Sequence, residues 1–294
     1  MTTERIINPQ YPGANILIMG PSGTGKTYAI KTLVATGLEV FALFLEPGVE
    51  TLVGSYADHN EPIPDNLHWH YLQPKTAGFG DLQKAADNIG KFDLAGLARM
   101  KDMNRAKNNQ MTELYTIMND FSDQRTGKKF GPIDEWTNGA VLVVDSLSAL
   151  NRIIMDMIIG NKVVKDMAEW GIAQTQVMSF LHKLTSGCNC HVVIIAHVER
   201  EVDPVLGGVK LMPSVPGKAI SAQIGQAFSD VILSVREGDK FYWDTANSQA
   251  DVKSRNLPIA AKLPADFGQI YEKWNKRALA ASAETVVDGS AEKK

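Results

Sequence analysis

Two cysteines are all that 294 residues contain, and both fall in Gly187-Cys188-Asn189-Cys190-His191. A zinc site would need a second ligand pair elsewhere, which is absent, and thiols one residue apart rarely bridge. The pair reads as reduced, partly buried thiols leading into a strand His191-Val192-Val193-Ile194-Ile195, which fits a reducing cytoplasm. No apolar run is long enough to span a bilayer, and Met1-Thr2-Thr3-Glu4-Arg5 lacks the apolar stretch of an export signal. The expectation is a cytoplasmic protein with no membrane partner. Neither sign of charge dominates: 30 Lys and Arg against 33 Asp and Glu leave −3, so a nucleic-acid partner would need a local patch. Aromatics are sparse at 7%, while 44% hydrophobic and 21% charged residues are ordinary for a globular chain. There is no internal repeat. The length suffices for one large domain or two modest ones.

What is present is concentrated in Gly20 to Thr27, GPSGTGKT. An apolar run, Ile16-Leu17-Ile18-Met19, precedes it, and the helix-like Tyr28-Ala29-Ile30-Lys31-Thr32-Leu33-Val34 follows. Strand, glycine loop and helix with G-x-x-x-x-G-K-T spacing form a phosphate-binding (Walker A) loop. Its glycines let backbone N–H groups converge on phosphate oxygens, and the helix N-terminus adds partial positive charge. The expected nucleotide-binding set is Gly20, Pro21, Ser22, Gly23, Thr24, Gly25, Lys26, Thr27 and Tyr28. Lys26 is expected to reach the β- and γ-phosphates, and the Thr27 hydroxyl to ligate Mg²⁺.

Further candidates lie at strand ends. Leu38 to Leu45 reads as a doubly buried strand ending at Glu46, and carboxylates past strand C-termini sit at the ligand edge of an α/β sheet. Glu46 is either the general base for the attacking water or a surface acid before the turn at Pro47-Gly48. Ala140-Val141-Leu142-Val143-Val144-Asp145 is a continuous apolar strand ending in acid, a Walker B element whose Asp145 would hold Mg²⁺ opposite Thr27. The strand from His191 ends at His197, which is either a γ-phosphate sensor or a structural histidine.

Other features are plainer. His68 and His70, on a strand 68–72, have a ligand-like spacing but no third ligand, so they read as one exposed strand face. Residues 73–138 read as a helical and polar insertion. Its Lys101, Arg105, Lys107, Arg125, Lys128 and Lys129 read as a nucleic-acid or partner surface, or as a solvated helix face plus loop. Glycines and prolines across 199–217 predict a long flexible loop. A helix over 218–226 and a strand over 229–235 follow, and Lys240-Phe241-Tyr242-Trp243 opens a hairpin returning through Asp251 to Arg255. Residues 278–294 lack apolar periodicity and predict a disordered tail, leaving 1–277 as the domain.

In this order, the loop, the strand to Glu46, Val143-Val144-Asp145-Ser146-Leu147-Ser148-Ala149-Leu150 and the strand to His197 resemble the RecA-type ATPase core over roughly 14–260. The compact length is similar to that of phage-encoded RecA-like ATPases of the Sak group. The resemblance implies an α/β fold with a mostly parallel central sheet flanked by helices and a C-terminal β-hairpin. It implies Mg²⁺-dependent ATP hydrolysis on single-stranded DNA in recombination or annealing, in a host cytoplasm if phage-encoded. The alternatives are a replicative helicase or helicase-loader-like motor, or a nucleotide-gated assembly protein without DNA activity. By the same resemblance Glu46 is the catalytic glutamate, and His197 stands where the family usually has glutamine. The stretch Lys253-Ser254-Arg255 resembles the family's K-x-R element, which implies that Lys253 and Arg255 act in trans within a homo-oligomeric ring or filament, the alternative being an exposed basic hairpin. Residues 151–165 and 199–217 fall where the family has DNA-binding loops, although Glu199, Glu201 and Asp203 are acidic for that task, with Lys210 and Lys218 as offsets. A single-strand-binding protein is an additional implied partner.

Overall fold

The computed structural model describes residues 11–74, 78–99, 110–160, 167–202, 207–215 and 217–288. In chain order the strands are β1 (Asn15–Met19), β2 (Glu39–Phe44), β3 (Leu67–Tyr71), β4 (Ala140–Asp145), β5 (His191–Ala196), β6 (Val198–Val202), β7 (Val209–Pro213), β8 (Asp230–Glu237), β9 (Lys240–Asp244) and β10 (Leu263–Pro264). The helices are α1 (Ile30–Val34), α2 (Val49–Asp58), α3 (Phe79–Ile89), α4 (Leu94–Arg99), α5 (Gln110–Asn119), α6 (Leu147–Ile159), α7 (Met167–Gly187), α8 (Lys218–Ile224) and α9 (Gly268–Asp288).

Eight strands make one sheet in the order β10-β9-β8-β1-β5-β4-β2-β3. From β8 to β3 all neighbours are parallel, and β9 and β10 add an antiparallel edge. The continuous apolar strands are buried on both faces, as an all-parallel sheet requires. Alternation sorts each strand between two cores. Leu17, Met19, Leu142 and Val144 face α5, α6 and α7, whereas Ile16, Ile18, Val141 and Val143 face α1, α2 and α9. Because β1, β2, β4 and β5 run in register, their C-terminal ends reach one edge together: Phe44 pairs with Asp145, Asp145 with Ile195, and Met19 with Ala196.

Several expectations are corrected. Residues 199–213 are not a flexible loop throughout: β6 and β7 pair as a hairpin from Val198↔Pro213 to Val202↔Val209. Residues 203–206 and 216 lie outside the described residues. The C-terminal hairpin pairs β9 with β8 across Gly238-Asp239, and Gly238 takes φ +62. The 251–255 segment makes only a bridge between Lys253 and Val231. Helix α9 continues past the expected start of the tail, with Ala278 fully buried.

His68 is not on an exposed face: it is buried, 3.0 Å from Glu39 and 3.3 Å from Asp123 through its two ring nitrogens. The insertion belongs to the core, since Met111, Leu114, Ile117 and Phe121 pack under the sheet. Of the six cations named there, the three that are described each make a contact within the chain. Arg125 donates to the Leu67 carbonyl at 3.0 Å and lies over Trp69, Lys128 lies over Phe130, and Lys129 pairs with Asp120. Lys101, Arg105 and Lys107 lie outside the described residues. Among the described residues no helix is long and apolar enough to cross a membrane, and no cluster of three metal-ligating side chains occurs.

Candidate nucleotide site

The loop from Gly20 to Thr27 leaves β1 at the sheet edge and turns into α1. Two of its positions require glycine. A Cβ on Gly20 would stand 2.5 Å from the Ser234 carbonyl of β8, and Gly25 takes φ +79. The loop is tied to both neighbouring strands: Gly20 N–H donates to the Ala196 carbonyl at 3.2 Å, and Ser234 Oγ donates to the Thr24 carbonyl at 2.8 Å.

Ser22 to Tyr28 line a cleft of about 380 Å³ with Glu46, Pro47, Thr51, Asp145 and His197. Gly20 and Pro21 contribute from behind, because their carbonyls accept from Lys26 Nζ at 2.8 and 2.7 Å. Lys26 is 5% exposed. Burial brings its pKa down to about 8, partly offset by the charges of Asp145 and Glu46. An ammonium folded onto neutral carbonyls is a cation short of counter-charge, which a polyphosphate supplies.

Asp145, the last residue of β4, accepts from Thr27 Oγ1 at 2.6 Å. Burial pushes its carboxyl up to about 6, with the Thr27 hydrogen bond and the Lys26 charge pulling the other way. A buried carboxylate and a hydroxyl meeting at the cleft edge are hard oxygen donors, and they suit Mg²⁺.

Glu46 lies two residues beyond β2, and His197 directly follows β5. His197 Nε2 is 3.0 Å from Glu46 Oε1, and Nδ1 is 3.4 Å from Ser22 Oγ. Burial raises the Glu46 pKa, but hydrogen bonds from His197 and Ser146, with the charges of His197 and Arg152, bring it below the ordinary carboxylate value. Glu46 is therefore ionised at neutral pH.

Thus the fold brings together Ser22 to Tyr28, Glu46, Asp145 and His197. Lys253 and Arg255 do not line the cleft. Lys253 pairs with Val231 and donates from Nζ to the Phe228 carbonyl at 2.7 Å, and the Arg255 amide donates to Asp230 at 2.8 Å. Both side chains are exposed beside the start of β8, the end of that strand away from the loop.

Four contributors were not singled out from sequence. Ser146 caps α6 by accepting from the Ala149 amide and also bonds Glu46. Ser148 Oγ accepts from the His197 amide at 3.3 Å, and Arg152 lies one turn further along the same helix. Phe241 of β9 covers the loop, its ring 3.0 Å from where a Gly25 Cβ would stand, with Arg236 over the ring at 5.6 Å. Ser146 immediately follows Asp145 and was legible as a cap. Phe241 carries no local signal, because only strand pairing brings it to the loop.

A glycine loop with its lysine and threonine beside a strand-end aspartate defines a P-loop NTP hydrolase. A family model described as an AAA domain matches residues 13–250, and the chain belongs to that family. The large, mostly parallel sheet flanked by helices, with its antiparallel edge, is a mixed α/β architecture. No curated protein matches the chain. Among solved structures, the RadB recombinase is similar at 15% identity, covering 81% of this chain and 84% of that one, with a TM-score of 0.36. A type III secretion ATPase from pathogenic bacteria matches at 16% identity, covering 76% and 53%, with a TM-score of 0.35. EscN of enteropathogenic E. coli, solved with its central stalk EscO, matches at 14% identity, covering 96% and 56%, with a TM-score of 0.39. This chain spans just over half the length of the two secretion ATPases.

Proposed function

We propose that the chain is a Mg²⁺-dependent, RecA-like ATPase that acts on single-stranded DNA in recombination or annealing, as the phage-encoded proteins it resembles are expected to do. The observation that carries this reading is the bonded path from the cleft to β6–β7. His197 holds Glu46 through its ring, while its amide donates to Ser148 Oγ and its carbonyl accepts from the Ser214 amide at 2.9 Å. Asn151 Nδ2 closes the path on the Ser214 carbonyl at 2.8 Å. A group that displaces His197 therefore pulls on the roots of both α6 and the hairpin. These are the described parts of the segments 151–165 and 199–217.

In turnover Lys26 exchanges the Gly20 and Pro21 carbonyls for phosphate oxygens, a charge-assisted bond in place of neutral ones. Thr27 and Asp145 are the residues that would hold Mg²⁺, and the ion would neutralise charge on the β- and γ-oxygens. Glu46 accepts the proton of the attacking water once His197 releases it. Lys253 and Arg255 act on the cleft of a neighbouring copy in a homo-oligomer, which fits their exposure away from their own cleft.

The test is steady-state ATP hydrolysis with and without single-stranded DNA at two salt concentrations. The expected result is stimulation that weakens as salt rises, because phosphate contacts release counterions. Hydrolysis indifferent to DNA at both salts would overturn the DNA assignment and leave the ATPase standing.

One observation favours a second reading, a nucleotide-gated protein acting on a protein partner. Lys210 of the hairpin pairs with Asp251 at 2.8 Å and faces Glu201 across the strands, so the described hairpin offers no excess of basic charge. Under that reading ATP drives assembly and DNA has no effect.

A further inference from the structure

The turn between α7 and β5 carries both cysteines, and the nucleotide cleft uses neither. Both are free thiols, Cys188 8% and Cys190 1% exposed. Cys188 lines a second cleft of about 230 Å³ beside α5 and α7, whose walls include the apolar Tyr115, Ile133, Phe180 and Leu184. Its sulfur lies 3.5 Å from the Lys183 carbonyl and is hydrogen-bonded to the Cys190 thiol. The Lys183 side chain folds over the turn, its Nζ 3.6 Å from where a Gly187 Cβ would stand, and Asp134 holds that Nζ at 2.7 Å.

The two thiols are therefore unlike. The bond from Cys190 brings the Cys188 thiol below its ordinary pKa despite burial, with help from Lys183 and opposition from Asp134. The bond to Cys188, with burial, pushes Cys190 well up. Cys188 is thus the more acidic of the two thiols and the one that meets a cleft, while Cys190 is the less acidic and has almost no surface of its own.

We propose that Cys188 and Cys190 form a covalent-modification site at the wall of this cleft, where Cys188 reduces a small organic hydroperoxide and Cys190, whose thiol is already hydrogen-bonded to the Cys188 sulfur, closes the product as an intramolecular disulfide that is uncommon at this spacing. In the first step the Cys188 sulfur attacks the terminal peroxide oxygen. An S–O bond forms, the O–O bond breaks, and the alcohol leaves with the thiol proton. In the second step the Cys190 sulfur attacks the Cys188 sulfur, an S–S bond forms, and the expelled hydroxide leaves as water with the Cys190 proton. Two thiols lose two electrons and one hydroperoxide gains them. The apolar walls favour an organic hydroperoxide over hydrogen peroxide. The six residues of β5 separate this site from His197 by about 20 Å, so the inference stands apart from the proposed function.

The experiment exposes the full chain to cumene hydroperoxide or hydrogen peroxide at equal concentration, blocks remaining thiols with N-ethylmaleimide, and weighs the peptide carrying both cysteines. The expected wild-type product is a peptide lighter by about 2 Da, unblocked and restored by dithiothreitol, formed faster with the organic peroxide. Cys190→Ser should stop at a sulfenic acid that dimedone captures on Cys188, and Cys188→Ser should react at least about tenfold more slowly. Two blockable thiols in the treated wild type, or a Cys188→Ser protein whose Cys190 oxidises as fast as wild type, would overturn the proposal. The wild-type measurement decides even if a variant does not fold.

Discussion

His197 Nε2 stands 3.0 Å from Glu46 Oε1, so the carboxylate we propose as the activator of water is already held by a ring that also faces Ser22 of the phosphate loop. Ser146 bonds the same carboxylate. Removing the negative charge while keeping the shape separates binding from chemistry. Glu46→Gln should leave ATP affinity within about threefold of wild type and lower kcat by about 10²- to 10⁴-fold. Equilibrium binding of a fluorescent nucleotide beside steady-state hydrolysis checks this. Wild-type turnover in Glu46→Gln would remove Glu46 from the chemistry.

Phe241 offers the loop an exposed aromatic face on the β8–β9 side, while Glu46, Asp145 and His197 stand on the β2, β4 and β5 side. With the terminal phosphate toward those acids, the base side of the nucleotide is free to stack on Phe241. Phe241→Ala should raise the KM for ATP by about tenfold with kcat little changed, from loss of about 1–3 kcal/mol of stacking. Inhibition by inorganic tripolyphosphate, which has no base, should not change. Equal losses for ATP and tripolyphosphate would mean that Phe241 only supports the loop.

The loop, its strand and the acids at Glu46 and Asp145 were legible because each is local: a glycine spacing, or an apolar run that stops at a charge. The same holds for the parallel sheet, whose strands are unbroken Val, Ile and Leu. What was missed depends on distant partners. Phe241 meets Gly25 only after β9 pairs with β8, and His68 is buried by partners distant in sequence, Phe41, Phe130 and Asp123, the last fifty-five residues on. The turn Glu237-Gly238-Asp239-Lys240 was a legible tight hairpin, yet the aromatic run after it drew the pairing to residues 251–255 instead. In α9, Ile270, Trp274 and Ala278 keep a helical spacing and bury one face, which the Ala, Ser, Glu and Lys that follow obscured.

His191 gives the fold an acid limit. It is buried at the start of β5, accepts from the Ala14 amide at 2.9 Å through Nδ1, and meets Trp274 edge-on at 4.3 Å. Burial depresses its pKa from 6.5 to about 4, against the pull of the Asn138 backbone. The unfolded chain thus binds a proton that the fold refuses. The contribution is fully present above pH 6.5 and is lost as pH falls through 4, about 3 kcal/mol across the window. His191→Asn keeps an acceptor for Ala14 and cannot titrate, so its urea midpoint should fall less than wild type between pH 6.5 and 4. Parallel curves for the two proteins would refute the assignment.

Lys253 and Arg255 project from beside the start of β8, away from the cleft of their own chain. If they complete a neighbour's site, two defects on different surfaces should complement each other. Lys26→Ala destroys the cleft and leaves the cations intact, whereas the double change Lys253→Ala and Arg255→Ala does the reverse. Each protein alone should hydrolyse ATP at least about 10²-fold more slowly than wild type, since each removes charge needed at the γ-phosphoryl group. Mixed at equal concentration, a minority of interfaces pairs an intact cleft with intact cations. Hydrolysis should then recover to between about a tenth and a quarter of the wild-type rate, as random mixing in a closed or open assembly dictates. No recovery, with light scattering showing that the two proteins co-assemble, would place the role of Lys253 within its own chain, where its Nζ braces the Phe228 carbonyl, whereas the Arg255 bond to Asp230 is made by the backbone amide and survives the change.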